Sequence, residues 1–172
     1  GHQALNANTT ADNNTAMGMM AMQTNTTGAN NVAVGYTSLR VSTTASNNVA
    51  IGYEAGRSIT TSAGNVYIGK GAGRSTTTSY GSNVAIGQGA FYTNTTGYSQ
   101  TAVGAGALFS NTSGIEGTAL GYEALYSNTT AHYNTAVGHY ALRANTTGAN
   151  NTAVGKSALG SNTTASNNTA VG

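Results

Sequence analysis

The stretch Asn134–Gly138 reads Asn-Thr-Ala-Val-Gly, and variants of it recur along the whole chain. Its closing glycine recurs at Gly1, Gly18, Gly35, Gly52, Gly69, Gly87, Gly104, Gly121, Gly138, Gly155 and Gly172. Every interval between these glycines is 17 residues, except for the 18 residues from Gly69 to Gly87. A fixed period of this length is typical of repeat architectures, in which neighbouring repeats stack and bury one continuous core. The sequence therefore predicts a single repeat array over residues 1–172, with a one-residue insertion near 79–82.

The composition excludes several classes of function. Charged residues make up 6% of the chain, and proline, cysteine and tryptophan are absent. The net charge of +2 does not indicate a nucleic-acid or membrane-surface partner. No apolar run approaches the roughly 20 residues of a membrane span, and no signal peptide is visible. Because the chain begins and ends within the motif, we expect it to be a segment of a longer fibre. The lack of cysteine fits an extracellular fibre.

The repeat becomes readable when its residues are numbered from the glycine as position 1. Position 17 is always a sizeable apolar residue, position 15 is Val or Thr, and position 16 is Ala except at Tyr67. A short, partly β-branched segment ended by glycine predicts a strand at positions 15–17. Ala-Leu at positions 4 and 5 predicts a second short strand, although Gly56 and Gly73 interrupt the leucine column. The fold class is therefore all-β, a parallel β-solenoid of ten 17-residue coils stacked about 4.8 Å apart.

Stacking of identical positions predicts ladders of polar side chains along the rod. Position 14 carries Asn14, Asn31, Asn48, Asn65, Asn83, Gln100, Asn134, Asn151 and Asn168, interrupted by Gly117. Side-chain amides in such a column can hydrogen-bond to the coils above and below. Threonines fill positions 9 and 10 almost throughout, and they are expected to bond across coils in the same way.

The alanine column at position 16 predicts how the chain assembles. In Val-Ala-Val the outer residues face one side of the strand and the alanine faces the other. An almost invariant alanine indicates close packing, and the economical partner is the same column of a neighbouring chain. We therefore expect a homo-oligomer whose axis is lined by Ala16, Ala33, Ala50, Ala85, Ala102, Ala119, Ala136, Ala153 and Ala170.

The middle repeats resemble a known family. Residues 82–90 read Ser-Asn-Val-Ala-Ile-Gly-Gln-Gly-Ala, and residues 48–55 read Asn-Val-Ala-Ile-Gly-Tyr-Glu-Ala. Both are similar to the head repeats of trimeric autotransporter adhesins. The flanking repeats, such as Asn134–Gly138 followed by Ala141-Leu142 and Asn145–Gly148, look like arrays in bacterial surface fibres and phage tail-fibre proteins. The resemblance implies a left-handed parallel β-roll, three chains side by side, and a place on a cell surface or a virion tail fibre. The period of 17 residues is longer than that of the shorter head repeat by an Asn-Thr-Thr loop.

The Asn-Thr-Thr column suggests glycosylation. Candidate asparagines are Asn8, Asn25, Asn94, Asn111, Asn128, Asn145 and Asn162, which head Asn-x-Ser/Thr triplets at one point of the coil. Candidate threonines are Thr10, Thr27, Thr96, Thr130, Thr147 and Thr164. The same triplet also serves a turn and a ladder, so decoration and a purely structural role stay open as alternatives.

Two further columns could bind a ligand. Arg40, Arg57 and Arg74 stack at position 6, which predicts either a solvated stripe or a contact to an anion, an acidic glycan or a neighbouring chain. Aromatic residues also form columns, namely Phe91, Tyr92, Phe109 and Tyr126 at positions 5 and 6 and Tyr36, Tyr53 and Tyr122 at position 2. These rings either stack on sugars or cover the edge of the coil.

Catalysis is not expected from this chain. Only four acidic residues and three histidines are present, and no two of them are spaced to bind a metal or to form a nucleophile–base pair. We expect no cofactor. The predicted function is a structural or adhesive segment of an extracellular fibre, whose partners are copies of itself, further repeats and surface glycans. The alternatives are a carbohydrate-binding phage tail fibre and an ice-binding solenoid that presents its paired threonines.

Overall fold

The computed structural model describes residues 1–77 and 80–172. Its strands are β1 (Thr15–Met17), β2 (Val32–Val34), β3 (Val49–Ile51), β4 (Val66–Ile68), β5 (Val84–Ile86), β6 (Thr101–Val103), β7 (Thr118–Leu120), β8 (Thr135–Val137), β9 (Thr152–Val154) and β10 (Thr169–Val171). All ten belong to one parallel sheet in which each strand pairs with the next along the chain. No helix occurs in these two ranges. The predicted parallel β-solenoid is therefore confirmed.

The register follows the repeat number throughout the sheet. Ala33 pairs with Ala50, and each strand pairs with the next at the same position of the repeat. The long interval does not disturb this register, because Tyr67 still pairs with Ala85 across it. The extra residue is therefore accommodated outside the strands. Of the loop predicted to contain it, Thr78 and Ser79 lie outside the described residues.

Each coil has one strand, so the prediction of a second strand at the Ala-Leu positions is wrong. Positions 2–7 form consecutive turns instead. The residue at position 5 has a positive φ, for example 47° at Leu39 and 53° at Leu125, and a strand requires an extended backbone. Backbone bonding between coils continues in the turns, since Leu125 N–H donates to the Ala141 carbonyl of the next coil over 3.0 Å. The turns are therefore stacked as regularly as the strands.

The position-16 alanines lie inside the coil of their own chain. From β2 to β9 the central strand residue is buried while its two neighbours are half-buried or exposed. The alanines Ala33, Ala50, Ala85, Ala102, Ala119, Ala136 and Ala153 are 0% exposed, and Ala16 and Ala170 of the end strands pack partly buried against the same core. The predicted oligomer axis along these nine residues is therefore wrong. The short strand packs against the turns of its own coil. The space between them holds the leucine side chain at position 5 and leaves room only for a methyl group at position 16.

Tyr67 shows how tightly this interior is filled. It stands where other coils have alanine and is completely buried. A Cβ placed on Gly73 would lie 2.6 Å from three ring atoms of Tyr67, and one on Gly56 would lie 3.0 Å from its Cδ2. The two glycines that interrupt the leucine column therefore make room for this ring. The tyrosine hydroxyl lies 3.3 Å from both Asn65 Oδ1 and Thr76 Oγ1, and burial raises the pKa of Tyr67 to about 12.

Candidate functional site

The predicted amide ladder at position 14 is present. Asn31 Nδ2 donates to Asn14 Oδ1 over 3.1 Å, and equivalent bonds link the following coils up to Asn83. The ladder is interrupted at Gly117, as expected. The preceding Gln100 uses its longer side chain to reach the Gly114 carbonyl, and a Cβ on Gly117 would lie 2.6 Å from Gln100 Oε1. Bonded amides thus run through the interior of the rod on both sides of this gap.

The candidate N-glycosylation asparagines form a second ladder. Asn111 Nδ2 donates to Asn94 Oδ1 over 3.1 Å, and Asn111 Oδ1 accepts from Asn128 Nδ2 over 3.0 Å. Asn25, Asn94, Asn111, Asn128 and Asn145 are buried, whereas Asn8 and Asn162 are half-buried with Nδ2 bonded to neighbouring oxygens. An N-linked sugar is attached to this nitrogen, so it would break the ladder. Glycosylation of the five buried asparagines, and of Asn162 with both Nδ2 hydrogens bonded, does not fit the folded coil. Asn8 Nδ2 in the first coil donates one bond, to the Ala11 carbonyl, so glycosylation of Asn8 stays a prediction.

The two threonine positions differ in their surroundings. At position 9 the hydroxyl donates to a carbonyl of the next coil, as in Thr95 Oγ1 to Thr112 O over 2.9 Å, which confirms the predicted bonding across coils. The position-10 candidates Thr10, Thr27, Thr96, Thr130, Thr147 and Thr164 are all exposed. In the described ranges none of these six hydroxyls has a hydrogen bond to the protein, so the bonding across coils predicted for position 10 is wrong at these residues. Their exposed row lies along one edge of the rod.

If the native protein carries sugar, we expect it on the position-10 threonines and not on the buried asparagines. The hydroxyls of Thr96 and Thr130 are accessible without unfolding, whereas Asn111 Nδ2 is enclosed. Peptide mass spectrometry of material from the native source would localise the modification. Sugar on Asn111 in the folded protein would contradict this assignment.

The aromatic column at position 6 is packed on itself. Tyr92 and Phe109 stack with their ring centroids 5.1 Å apart, and so do Phe109 and Tyr126, with interplanar angles of 3° and 9°. The guanidinium carbons of Arg74 and Arg143 lie 5.4 and 5.6 Å from the centroids of the two outer rings. A sugar stacks on the face of an aromatic ring, and these faces are already occupied. The geometry supports the packing alternative for this column.

A recurring diagonal joins position 3 of one coil to position 6 of the next. Glu54 and Arg74 form an ion pair of 2.6 Å along it, and Glu123 and Arg143 form another of 2.6 Å. The hydrogen bond from each arginine to its glutamate raises the pKa of that arginine. The neutral side chains of Gln3 and Gln23 bond along the same diagonal over 2.8 Å.

Glycine at position 3 is accompanied by an aromatic ring at the other end of the diagonal. The pairs are Gly71 with Tyr92, Gly89 with Phe109, and Gly106 with Tyr126, and a Cβ on each glycine would lie 2.9 to 3.3 Å from its ring. The glycines therefore seat the aromatic stack. Six diagonals from position 3 to position 6 are thus bonded polar pairs or glycine–aromatic pairs. Sequence reasoning missed this relationship because the two positions are far apart along the chain.

The arginine column is only partly neutralised. Arg74 is paired with Glu54, and Arg40 Nε donates to Gln23 Oε1 over 3.1 Å. Arg57 Nε lies 3.7 Å from Glu54 Oε1 and has no hydrogen-bond partner. The three predicted column members thus share a single carboxylate.

Residues with catalytic chemistry are dispersed. His139 stacks on Tyr122 with centroids 5.3 Å apart, and His132 Nδ1 accepts a hydrogen bond from the Ile115 N–H over 3.1 Å. In residues 1–77 and 80–172 no three His, Cys, Asp or Glu side chains form a group that could hold a metal ion. The same ranges contain no helix long and apolar enough to cross a membrane.

No protein-family model matches the chain, and comparison with curated proteins and with solved structures gave no significant match.

Proposed function

We propose that the chain is a structural segment of an extracellular fibre, serving as a shaft or an adhesive head. The observation that supports it is the uninterrupted in-register stacking of ten strands with amide ladders inside the rod. Each coil contacts only its neighbours, so the same unit can be repeated to any length. Ten coils at about 4.8 Å give a rod of roughly 50 Å. Within each uninterrupted stretch of ladder the inner amides are bonded to the coils above and below, which resists bending.

The outer face of the sheet is the surface by which such rods would associate. Positions 15 and 17 point away from the coil interior, and they form two columns of Val, Ile, Leu, Met and Thr. Ile51, Ile86, Leu120 and Val154 are 36 to 38% exposed. A continuous apolar stripe of this length is characteristic of an interaction surface. In our proposal two further copies cover it, because an identical chain carries the same stripe at the same spacing. Position 16 has no part in this interface.

Charge on the outer face should prevent assembly. For the double variant Ile86→Lys/Leu120→Lys we expect dissociation from a trimer to monomers, since an ammonium group buried without a partner costs several kcal/mol. Sedimentation equilibrium at micromolar concentration measures the mass directly. The matched control is Thr96→Lys/Thr130→Lys, which adds the same charge on the exposed edge and should leave the mass unchanged. A wild-type chain that is monomeric under these conditions would refute the assembly proposal.

The exposed threonine edge distinguishes this function from ice binding. An ice-binding surface needs both threonines of the Thr-Thr pair on one accessible face. In this coil the position-9 hydroxyls are bonded to backbone carbonyls, and position 10 alone is exposed. A fibre that presents its position-10 row to a surface is the function that the geometry supports better.

A further inference from the structure

One diagonal pair in the polar series is incomplete. Thr37 and Arg57 occupy positions 3 and 6 of successive coils, as do Glu54 and Arg74. Thr37 is 4% exposed and its Oγ1 has no hydrogen-bond partner, while Arg57 Nε is buried and also has none. Buried polar atoms are almost always hydrogen-bonded, so two atoms without a hydrogen bond on one diagonal require an explanation.

The charge around this pair indicates what is missing. Arg40, Arg57 and Arg74 lie on consecutive coils about 4.8 Å apart, a distance at which like charges repel. Glu54 is the acidic group paired with this column. Its close contact, of 2.6 Å, is to Arg74, and its other carboxylate oxygen lies 3.7 Å from Arg57 Nε, beyond hydrogen-bond distance. Three guanidinium groups and one carboxylate leave two positive charges, centred on Arg40 and Arg57. The complement of such a site is an anion.

We propose that Arg40, Arg57 and Thr37 form an oxyanion-binding site. A carboxylate, sulfate or phosphate group would bridge the two guanidinium groups, whose planar donors match oxyanions well, and would accept a hydrogen bond from the Thr37 hydroxyl. The anion takes the place that the carboxylate of Glu54 occupies beside Arg74. Its source is either a free inorganic anion or the acidic group of a surface glycan.

The site does not depend on assembly of the fibre. Its residues lie in the turns at positions 3 and 6, whereas the proposed interface between chains uses positions 15 and 17 of the sheet. A monomeric chain should therefore bind the anion as well as a trimer does. The inference goes beyond the structural function and can fail independently of it.

A glutamate at position 37 would fill the site, and other coils of the array already have glutamate at this position of the repeat. Thr37 has a φ of 51°, close to the 56° of Glu54 and the 50° of Glu123, so a glutamate fits this backbone. Thr37→Glu recreates the Glu–Arg pair of the neighbouring coils and should exclude the anion. The matched control is Ser157→Glu, which adds the same charge at the same position of the last coil, where φ is 58°.

The test is a titration of the whole chain, observed through the arginine Nε–Hε resonances and by calorimetry. The probes are sodium sulfate at constant ionic strength, a tetragalacturonate, and its neutral methyl ester. We expect saturable shifts of the Arg40 and Arg57 signals in the wild type, at least a tenfold loss of affinity in Thr37→Glu, and less than a twofold change in Ser157→Glu.

The relative affinities identify the source of the anion. Tighter binding of tetragalacturonate than of sulfate, with no binding of the ester, supports an acidic glycan, whereas saturable binding of sulfate alone supports a small anion. Absence of saturable shifts with both anions would overturn the proposal, and so would unchanged affinity in a folded Thr37→Glu variant. A second readout is thermal stability without added anion, which should be higher for Thr37→Glu than for the wild type.

Discussion

Replacing Gly87 with alanine is expected to lower the free energy of unfolding by about 3 kcal/mol or more. Gly87 has a φ of +135°, and an added Cβ would lie 2.6 Å from the carbonyl carbon and oxygen of Gly104 in the next coil. Neither backbone can move away freely, because Gly87 N–H and Gly104 N–H each donate a 2.8 Å bond to the coil before. Overpacking and backbone strain therefore add at one point. The substitution should also uncouple the two halves of the array, since coils are stabilised by their neighbours.

Urea denaturation followed by circular dichroism measures both effects. We expect the Gly87→Ala transition to begin at lower urea and to split into two steps. The control is Gly64→Asn, because the nearest atoms that an added Cβ at Gly64 would meet, apart from its chain neighbours, are Ser82 N and Oγ at 3.9 and 4.0 Å. Asparagine occupies this position in other coils, for example Asn47 with a φ of 60°. The control should lose less than about 1 kcal/mol. Equal losses for the two variants would show that the close approach of the coils is not what requires the glycine.

The stacking register could be predicted because the sequence repeats its side chains as well as its length. A one-residue slip would place Val beside Ala and break the amide ladder from Asn31 to Asn83. The strand bounds also follow from the sequence, since a β-branched or apolar residue at positions 15 and 17 flanks a small one and a glycine ends the segment. The fold class and the position-14 ladder were therefore accessible without a structure.

The turns could not be predicted in the same way. Leucine is disfavoured at positive φ, yet Leu39, Leu125 and Leu142 all adopt it. Bonds between coils, such as the 3.0 Å bond from Leu125 N–H to Ala141 O, and burial of the side chain outweigh the local preference. This turn conformation also creates the diagonal between positions 3 and 6. The arginine column is visible in the sequence, but the lack of a hydrogen-bond partner for Arg57 Nε is not.

The prediction made from the alanine column is wrong, although the sequence contains the information that corrects it. That prediction assigns the missing side-chain volume at position 16 to a neighbouring chain. Tyr67 fills that volume in one coil, and glycine replaces leucine in the same coil at Gly56 and in the next coil at Gly73. A large residue in one column that coincides with glycines in another indicates that both columns share one interior. Burial of Tyr67 at 0% exposure confirms this relation.

The shared interior predicts strong coupling between Tyr67 and Gly73. The single variant Gly73→Leu restores the leucine column but places its Cβ 2.6 Å from the Tyr67 ring, so we expect it to be severely destabilised. The single variant Tyr67→Ala leaves a cavity and should lose about 3–5 kcal/mol. In the double variant the leucine occupies the space of the ring. Its backbone is already suitable, since φ is 60° at Gly73 and 49° at Leu142.

We therefore expect the double variant Tyr67→Ala/Gly73→Leu to be more stable than either single variant, with a coupling energy of about 3 kcal/mol. Urea unfolding of the four proteins completes the cycle. Tyr67→Ala combined with Leu142→Gly is the control, because these residues lie several coils apart and their losses should add to within about 0.5 kcal/mol. Additive losses for Tyr67 and Gly73 as well would mean that the two columns do not fill one space. Rescue would instead show that adjacent coils share the volume of one interior, which explains why the one large residue in the alanine column coincides with glycines in the leucine column.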